Sequence, residues 1–283
     1  MQGLKDLEIG VMFWGGRDPV ETLRENKELG VRCGQIGISG EIDIGATKQA
    51  AWKSALEAEQ FTLVTVFAAY NGESYADIPT VQQTVGFIPR ATRVEREKRT
   101  LECSDFAAAL GVPSIATHIG FVPEDSSDPD YVAVRDMVRR VCDHAAARNQ
   151  TFALETGQEP AVTLLHFFKD VGRENLRINF DPANMILYGT GDPIEALGVL
   201  AKHVISVHAK DGDWPPEGQP GALGTERPLG QGVVGMERFI AKLKEIGYTN
   251  PLNIEREVPD HQERLRDMKM GVGLLSRLLV GYT

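Results

Sequence analysis

Short apolar segments alternate with longer amphipathic segments along the whole chain. This alternation is typical of βα units around one parallel sheet rather than of separate domains. The pattern repeats eight times, and several of the short segments end in a charged or imidazole residue. The eight predicted strands are Glu8–Phe13, Cys33–Ile38, Phe61–Phe67, Ser114–His118, Thr151–Glu155, Leu176–Asp181, Val204–His208 and Leu252–Glu255.

The amphipathic segments predict eight helices, several with recognisable ends. Asp18-Pro19 and Asp192-Pro193 each indicate an N-cap followed by proline at the first helical position. Glycines that suit left-handed C-caps follow four of the helices, at Gly30, Gly111, Gly172 and Gly247. The predicted helices are Pro19–Leu29, Thr47–Glu59, Thr92–Leu110, Asp130–Arg148, Pro160–Val171, Pro193–Lys202, Met236–Ile246 and His261–Leu279.

Eight strands alternating with eight helices suit either a closed barrel or an open doubly wound sheet. We favour the barrel because no early strand leads into a Gly-x-Gly-x-x-Gly turn. The 283 residues suit one such barrel, which typically takes about 250. The prediction is therefore one α/β domain over residues 1–283, a (β/α)8 TIM barrel. Ala68–Arg90 and Asp211–Gly235 are predicted to be loops over its C-terminal face, where barrel enzymes place their active sites.

Composition and charge narrow the classes of function. A net charge of -10 and a pI near 5.2 oppose binding to nucleic acid, whose phosphates attract Lys and Arg. No apolar stretch approaches the roughly 18 residues of a membrane span, and no secretory signal pattern is present. The three cysteines form neither a CxxC pair nor an even disulfide framework, which fits a reducing compartment. We expect a cytoplasmic enzyme that binds neither nucleic acid nor membrane.

Four consecutive predicted strands, the fifth to the eighth, end in a side chain able to bind a metal: Glu155, Asp181, His208 and Glu255. In a barrel, residues at the same level of adjacent strands converge on one mouth. Taken singly, each side chain is equally well explained as a surface group that caps the next helix. Taken together, three carboxylates and one imidazole form an oxygen-rich set that suits Mn²⁺, Mg²⁺ or Co²⁺. Zn²⁺ is less favoured, because the set has no thiolate and one histidine.

These four segments resemble those of the xylose-isomerase-like barrel superfamily of sugar phosphate isomerases and epimerases. The His-x-Lys-Asp segment at His208–Asp211 and the Gly-Gln-Gly at Gly230–Gly232 are also similar to motifs of that superfamily. The resemblance spans nearly the whole chain. It implies that Glu155, Asp181, His208 and Glu255 bind the metal, and that the two glutamates also form the acid-base pair.

The resemblance has two departures, and both bear on the substrate. Ketose 3-epimerases carry a segment resembling Asp-x-x-His where this chain has Asn184, a residue that hydrogen-bonds but does not titrate. They also place an arginine six residues after the ligand histidine, where this chain has Trp214. The sequence therefore argues against a 3-epimerase of free ketohexoses.

Further candidates lie near the predicted mouth. His118 resembles a substrate-binding histidine of the superfamily, although a histidine packed beneath the mouth would also fit. Lys210 either reaches a substrate oxygen or pairs with a ligand carboxylate. Trp14 and Trp214, with Phe67 and Phe121, are candidates for an apolar wall against a sugar, although packing in the core or a lid is the commoner role of aromatics.

The expected reaction is isomerisation or epimerisation of a small keto-sugar or sugar-like polyol. One glutamate removes a proton beside the carbonyl, the metal stabilises the enediolate, and the other glutamate returns the proton. Three alternatives remain open: a metal-dependent lyase or dehydratase on a keto-polyol, an apurinic-site endonuclease, and a non-catalytic sugar-binding barrel. A homo-oligomer is compatible with the sequence.

Overall fold

A computed structural model describes residues 7–280 of the chain. The eight barrel strands occur where the apolar segments predict them, within one residue at each end. Eight of the ten strands form the main sheet: β1 Ile9–Trp14, β2 Cys33–Ile38, β3 Thr62–Ala68, β4 Ser114–Thr117, β5 Thr151–Glu155, β6 Leu176–Phe180, β7 Val204–Ala209 and β10 Leu252–Ile254.

The eight strands close into a parallel barrel, which confirms the predicted fold. The order around the barrel is β1-β10-β7-β6-β5-β4-β3-β2, so successive barrel strands pair with one another and β10 closes onto β1. Register is continuous at the closure, where Ile9 pairs with Leu252. Because all strands run in the same direction, their carboxyl ends share one face of the barrel.

Ten α-helices are described: α1 Pro19–Glu28, α2 Ala46–Glu59, α3 Ile78–Thr84, α4 Arg93–Ala109, α5 Pro129–Ala146, α6 Ala161–Val171, α7 Pro182–Tyr188, α8 Pro193–Leu200, α9 Met236–Glu245 and α10 His261–Leu278. The Asp18 and Asp192 side chains accept bonds from backbone N–H groups in the first turns of α1 and α8, as their sequence predicts. Gly172 ends α6 in the left-handed conformation, with φ +60°.

Three elements lie where the sequence predicts loops or strand ends. Helix α3 interrupts the Ala68–Arg90 segment, and α7 begins directly after β6. A two-stranded antiparallel hairpin, β8 Asp211–Asp213 and β9 Thr225–Arg227, interrupts the second predicted loop and stands outside the barrel. All three follow barrel strands and therefore build the walls of the mouth.

Apolar packing fixes the barrel in two layers. Inside, Met12, Phe67, Ala116 and Ala153 form a small buried cluster. Between strands and helices lies a much larger core, in which the rings of Phe180 and Phe239 stack with centroids 6.1 Å apart. Burial of one such side chain contributes about 1.5–3 kcal/mol. No helix among residues 7–280 is both long enough and apolar enough to span a membrane.

Candidate metal centre

The four strand-end groups meet at the barrel mouth. Glu155 ends β5, Asp181 follows β6, His208 lies in β7 and Glu255 follows β10. These strands are neighbours in the closed sheet. One nitrogen or oxygen atom from each residue lies within 4.8 Å of the other three, so the four groups could hold one metal ion.

The imidazole of His208 lies at the centre of the cluster. Its Nδ1 is 2.6 Å from Glu155 Oε1, 3.1 Å from Glu255 Oε2 and 3.6 Å from Asp181 Oδ2. The side chains of His208 and Asp181 are fully buried. Burial of three carboxylates close together is unfavourable unless a cation compensates their charge.

Asp181 gives the clearest sign that a cation belongs here. Its Oδ1 accepts a 2.9 Å hydrogen bond from Asn184 N and so caps α7. Its Oδ2 is buried without any hydrogen-bond partner, and the nearest ammonium, Lys210 Nζ, is 3.8 Å away. Burial raises the pKa of Asp181 to about 6, although Lys210 lowers it. Helix capping and metal binding therefore use different oxygens of one carboxylate, and the donor set fits a divalent ion.

The two glutamates are ionised by their neighbours. Burial raises the pKa of Glu155, but His118 and His208 outweigh it and lower the pKa to about 2. Burial likewise raises the pKa of Glu255, and His208 and Lys210 bring it well below its usual value. Both groups are therefore carboxylates at neutral pH, able to accept a proton or to bind a cation.

A buried polar network orients His208. Gln35 Oε1 lies 3.1 Å from His208 Nε2, where it can accept a hydrogen bond from that nitrogen, and Asn179 Nδ2 lies 3.2 Å from the same nitrogen. Gln35 Nε2 in turn donates to Asn179 Oδ1 at 3.0 Å, which Ser206 Oγ also contacts. The network leaves His208 Nδ1 facing the three carboxylates.

Lys210 pairs with the carboxylates of the mouth. Its buried Nζ donates to Glu255 Oε2 at 3.0 Å and to Glu257 Oε2 at 2.7 Å, and it lies 3.4 Å from Asn184 Oδ1. Burial lowers the pKa of Lys210, but Glu255 and Glu257 raise it well above its usual value. Lys210 thus pairs with a ligand carboxylate, and its contact with a substrate oxygen stays a prediction.

His118 joins the centre through Glu155. Its Nε2 is 2.6 Å from Glu155 Oε2, and Gln158 Nε2 is 3.1 Å from its Nδ1. Burial lowers the pKa of His118, but the Glu155 carboxylate raises it to about 9. The rings of Phe67 and Tyr75 lie 5.8 and 5.9 Å from the His118 ring. His118 is thus a neighbour of the centre with an aromatic ring on each of two sides.

The two predicted tryptophans occupy different places. Trp14, 41% exposed, lines a cavity of about 450 Å³ beside Glu255. Trp214, 45% exposed, follows β8 and lines neither of the two described cavities that adjoin the centre. The structure therefore brings Trp14 to the mouth and leaves Trp214 on the hairpin.

Hydrogen bonds to Asp211 link the two other sequence motifs, the His-x-Lys-Asp segment and the Gly-Gln-Gly segment. Its Oδ2 accepts hydrogen bonds from Gly230 N at 2.9 Å and Gly232 N at 3.0 Å, and its Oδ1 accepts from Val234 N. A Cβ on Gly232 would lie 2.4 Å from Asp211 Oδ1, so only glycine fits there. Asp211 therefore fastens the segment that returns from the hairpin to α9.

Two important residues were not singled out from the sequence. Gln35 is a lone polar residue in an otherwise apolar strand, and Glu257 is two residues beyond Glu255. Each carries a signal that could have identified it, because an uncompensated polar group in a buried strand needs a partner and alternate residues share a face.

The fold and the four converging side chains define a barrel protein with a candidate divalent-metal centre at its mouth. Residues 23–277 match the family model of the xylose isomerase-like TIM barrel, and the chain belongs to this family. No curated protein matches the chain.

Solved structures extend the comparison. A xylose isomerase domain protein from Planctomyces limnophilus is 43% identical, with a TM-score of 0.92 over 97% of this chain and 98% of that one. A xylose isomerase-like TIM barrel protein from Mycobacterium smegmatis, in complex with magnesium, is 17% identical with a TM-score of 0.71 over 100% and 99%. The 3-keto-D-glucoside 4-epimerase from E. coli is 15% identical with a TM-score of 0.71 over 96% and 99%. The last two similarities show the fold alone.

Proposed function

We propose that the protein is a divalent-metal-dependent isomerase or epimerase of a keto-sugar or sugar-like polyol. The observation that carries this proposal is the pairing of two ionised glutamates with a buried, unpartnered oxygen of Asp181 in one cluster. The magnesium complex and the E. coli epimerase support the reading at the level of a shared scaffold.

In this proposal Glu155, Asp181, His208 and Glu255 hold the metal, with Mn²⁺ favoured and Mg²⁺, Co²⁺ or Zn²⁺ as substitutes. A bound divalent ion supplies Lewis-acid stabilisation of the negative charge that develops on the substrate's carbonyl oxygen. Glu155 and Glu255 are the catalytic pair. One removes the proton beside the carbonyl to give an enediolate, and the other returns it, at the opposite face for epimerisation or the adjacent carbon for isomerisation.

The neighbouring residues bind and orient the substrate. His118 donates to Glu155 and fixes the direction in which that carboxylate faces the substrate. Asn184 and Lys210 offer hydrogen bonds to hydroxyl groups at the edge of the mouth. Trp14, which lines the cavity beside Glu255, provides an apolar surface against the sugar.

A deuterium-exchange screen tests this function. The Mn²⁺-loaded protein, incubated with keto-sugars and keto-inositols in D₂O, is expected to place deuterium on carbon, because the removed proton exchanges with solvent before it returns. Mass spectrometry and NMR detect it. A product that has lost water would identify a lyase instead. Tight metal binding without deuterium incorporation into any bound compound would contradict catalysis.

Gln35→Met should weaken metal binding about 10- to 100-fold, the usual cost of losing a partner that orients a ligand histidine. Methionine keeps the volume but cannot accept the His208 Nε2 proton. Calorimetric titration with Mn²⁺ measures the change. Gln150→Met is the matched control, because Gln150 is also buried and hydrogen-bonded, to Ser104 Oγ at 2.6 Å, on a network that does not include the centre. Equal affinity in the two variants would exclude this role of Gln35.

A further inference from the structure

A second cavity, of about 820 Å³, adjoins the metal centre on the side of the hairpin. Its inner wall contains Asn184 and Glu257, both in contact with Lys210, and Tyr75, whose ring lies beside His118. The cavity therefore lies directly beside the candidate substrate-binding residues. Its volume lies in the upper part of the range of about 300–1,000 Å³ typical of small-molecule sites, more than one sugar ring fills.

The walls of this cavity are held together by the elements that interrupt the predicted loops. Ile78 N, at the start of α3, donates to Gly221 O in the hairpin at 2.9 Å, and Gly224 N donates to Leu187 O of α7 at 2.8 Å. Pro79 packs directly against Gly221, where an added Cβ would lie 3.2 Å from the proline ring. Defined contacts among α3, α7 and the hairpin thus hold the walls of this open cavity in place.

The lining has the chemistry of a sugar site without a phosphate site. The lining carboxylates are Asp77, Glu226 and Glu257, and no Lys or Arg side chain is among the described lining residues. Arg256, beside Glu257 in the chain, already forms salt bridges with Glu226 at 2.9 Å and Asp267 at 2.8 Å. A phosphate would meet repulsion here and find no guanidinium to bind it.

The apolar part of the lining suits the faces of a sugar ring or of another flat group. It combines the aromatic rings of Tyr75 and Tyr188 with prolines and leucines, while Asn184 and Gln219 supply amide groups for hydroxyls.

We infer that this cavity is a second subsite, and that the substrate is an unphosphorylated keto-sugar extended by a further glycosyl or aglycone unit. The reacting keto-sugar lies at the metal centre, and the extension lies between Tyr75, Asn184 and the hairpin. This inference deepens the proposed function and rests on it for the identity of the reacting unit. The expected substrate is thus a glycoside and not a free or phosphorylated monosaccharide.

Binding measurements test the subsite without requiring turnover. Calorimetry of the Mn²⁺-loaded protein compares 3-ketotrehalose, 3-ketoglucose and 3-ketoglucose 6-phosphate. The keto-disaccharide should bind about tenfold or more tightly than the monosaccharide, because the second unit adds contacts, and the phosphate should bind most weakly. Equal affinities, tightest binding of the phosphate, or no binding of all three would overturn the inference.

A filling variant locates the extension. Ala222 lines the cavity and is partly buried, so Ala222→Trp places an indole there without removing a packed side chain. The preference for 3-ketotrehalose over 3-ketoglucose should fall about tenfold or more. Ala146→Trp, at an exposed position of α5, is the matched control and should keep the wild-type ratio. Thermal unfolding of both variants verifies folding, and an unchanged ratio in a folded Ala222→Trp would place the extension elsewhere.

The same samples separate this inference from the proposed function. Preferential binding of 3-ketotrehalose without deuterium incorporation would uphold the subsite and refute the isomerase. Deuterium incorporation at equal efficiency from 3-ketoglucose and 3-ketotrehalose, unaffected by Ala222→Trp, would uphold the isomerase and refute the subsite.

Discussion

His208→Ala and Asp181→Asn are each expected to weaken Mn²⁺ binding on the order of 10²-fold or more, since loss of even an orienting partner costs about 10- to 100-fold. Alanine removes the nitrogen that lies within 3.6 Å of all three carboxylates. Asparagine still caps α7 through its oxygen but presents an amide nitrogen, which has no lone pair for a cation, where Oδ2 lies. Calorimetric titration of metal-stripped protein measures both changes.

The control for Asp181→Asn is Asp192→Asn. Asp192 caps α8 through a 2.7 Å bond from Ile194 N and is not one of the clustered metal-binding groups. The two substitutions change a helix cap in the same way, so a difference between them reports the metal site. If both His208→Ala and Asp181→Asn bind Mn²⁺ with the wild-type affinity, the metal site lies elsewhere in the protein.

The barrel and the convergence of four side chains could be predicted because each depends on local patterns. Apolar runs that end in Glu155, Asp181 and His208 specify a strand and place these residues within one position of its end. Once the strands are parallel and neighbouring, topology alone carries those ends to one face. The prediction therefore needed no knowledge of long-range contacts.

Helix α7 was missed although its signal was present. Asp181-Pro182 has the same N-cap and proline pattern as Asp18-Pro19 and Asp192-Pro193, which were used to start helices. From the sequence, metal binding and helix capping are alternatives for Asp181. The structure shows that its two oxygens have different roles, one in the cap and one in the cluster.

The hairpin and the partners of Lys210 could not be predicted in the same way. Strands β8 and β9 have three residues each, and their pairing of Asp211 with Arg227 depends on a connection with no apolar alternation. The sequence does not decide whether Lys210 contacts a substrate oxygen or pairs with a carboxylate. The position of Glu257 relative to Lys210 depends on the pairing of β10 with β7. Contacts of this kind follow from the assembled barrel and not from a local segment.

Glu155→Gln and Glu255→Gln are each expected to lower turnover on the order of 10²-fold or more, the usual contribution of general acid-base catalysis. Glutamine keeps the shape and one oxygen for the metal but cannot accept a proton. Both wild-type groups are ionised, Glu155 by two histidines and Glu255 by His208 and Lys210, so each substitution removes an available base. Steady-state rates with an active keto-sugar from the screen, with metal content verified, measure the loss.

The two glutamates should also differ from one another. Glu155 is tied to His118 at 2.6 Å, and Glu255 to Lys210 at 3.0 Å, so they approach the substrate from different sides of the cluster. If they act on opposite faces, one variant will still exchange the substrate proton with D₂O while failing to invert the centre. Glu59→Gln is the matched control, because Glu59 on α2 is buried and paired with Arg24 and Lys27 of α1. This control should alter stability but not turnover. Near-normal turnover in both metal-loaded site variants would refute the two-glutamate mechanism and point to His118 and Lys210 as the groups that move the proton.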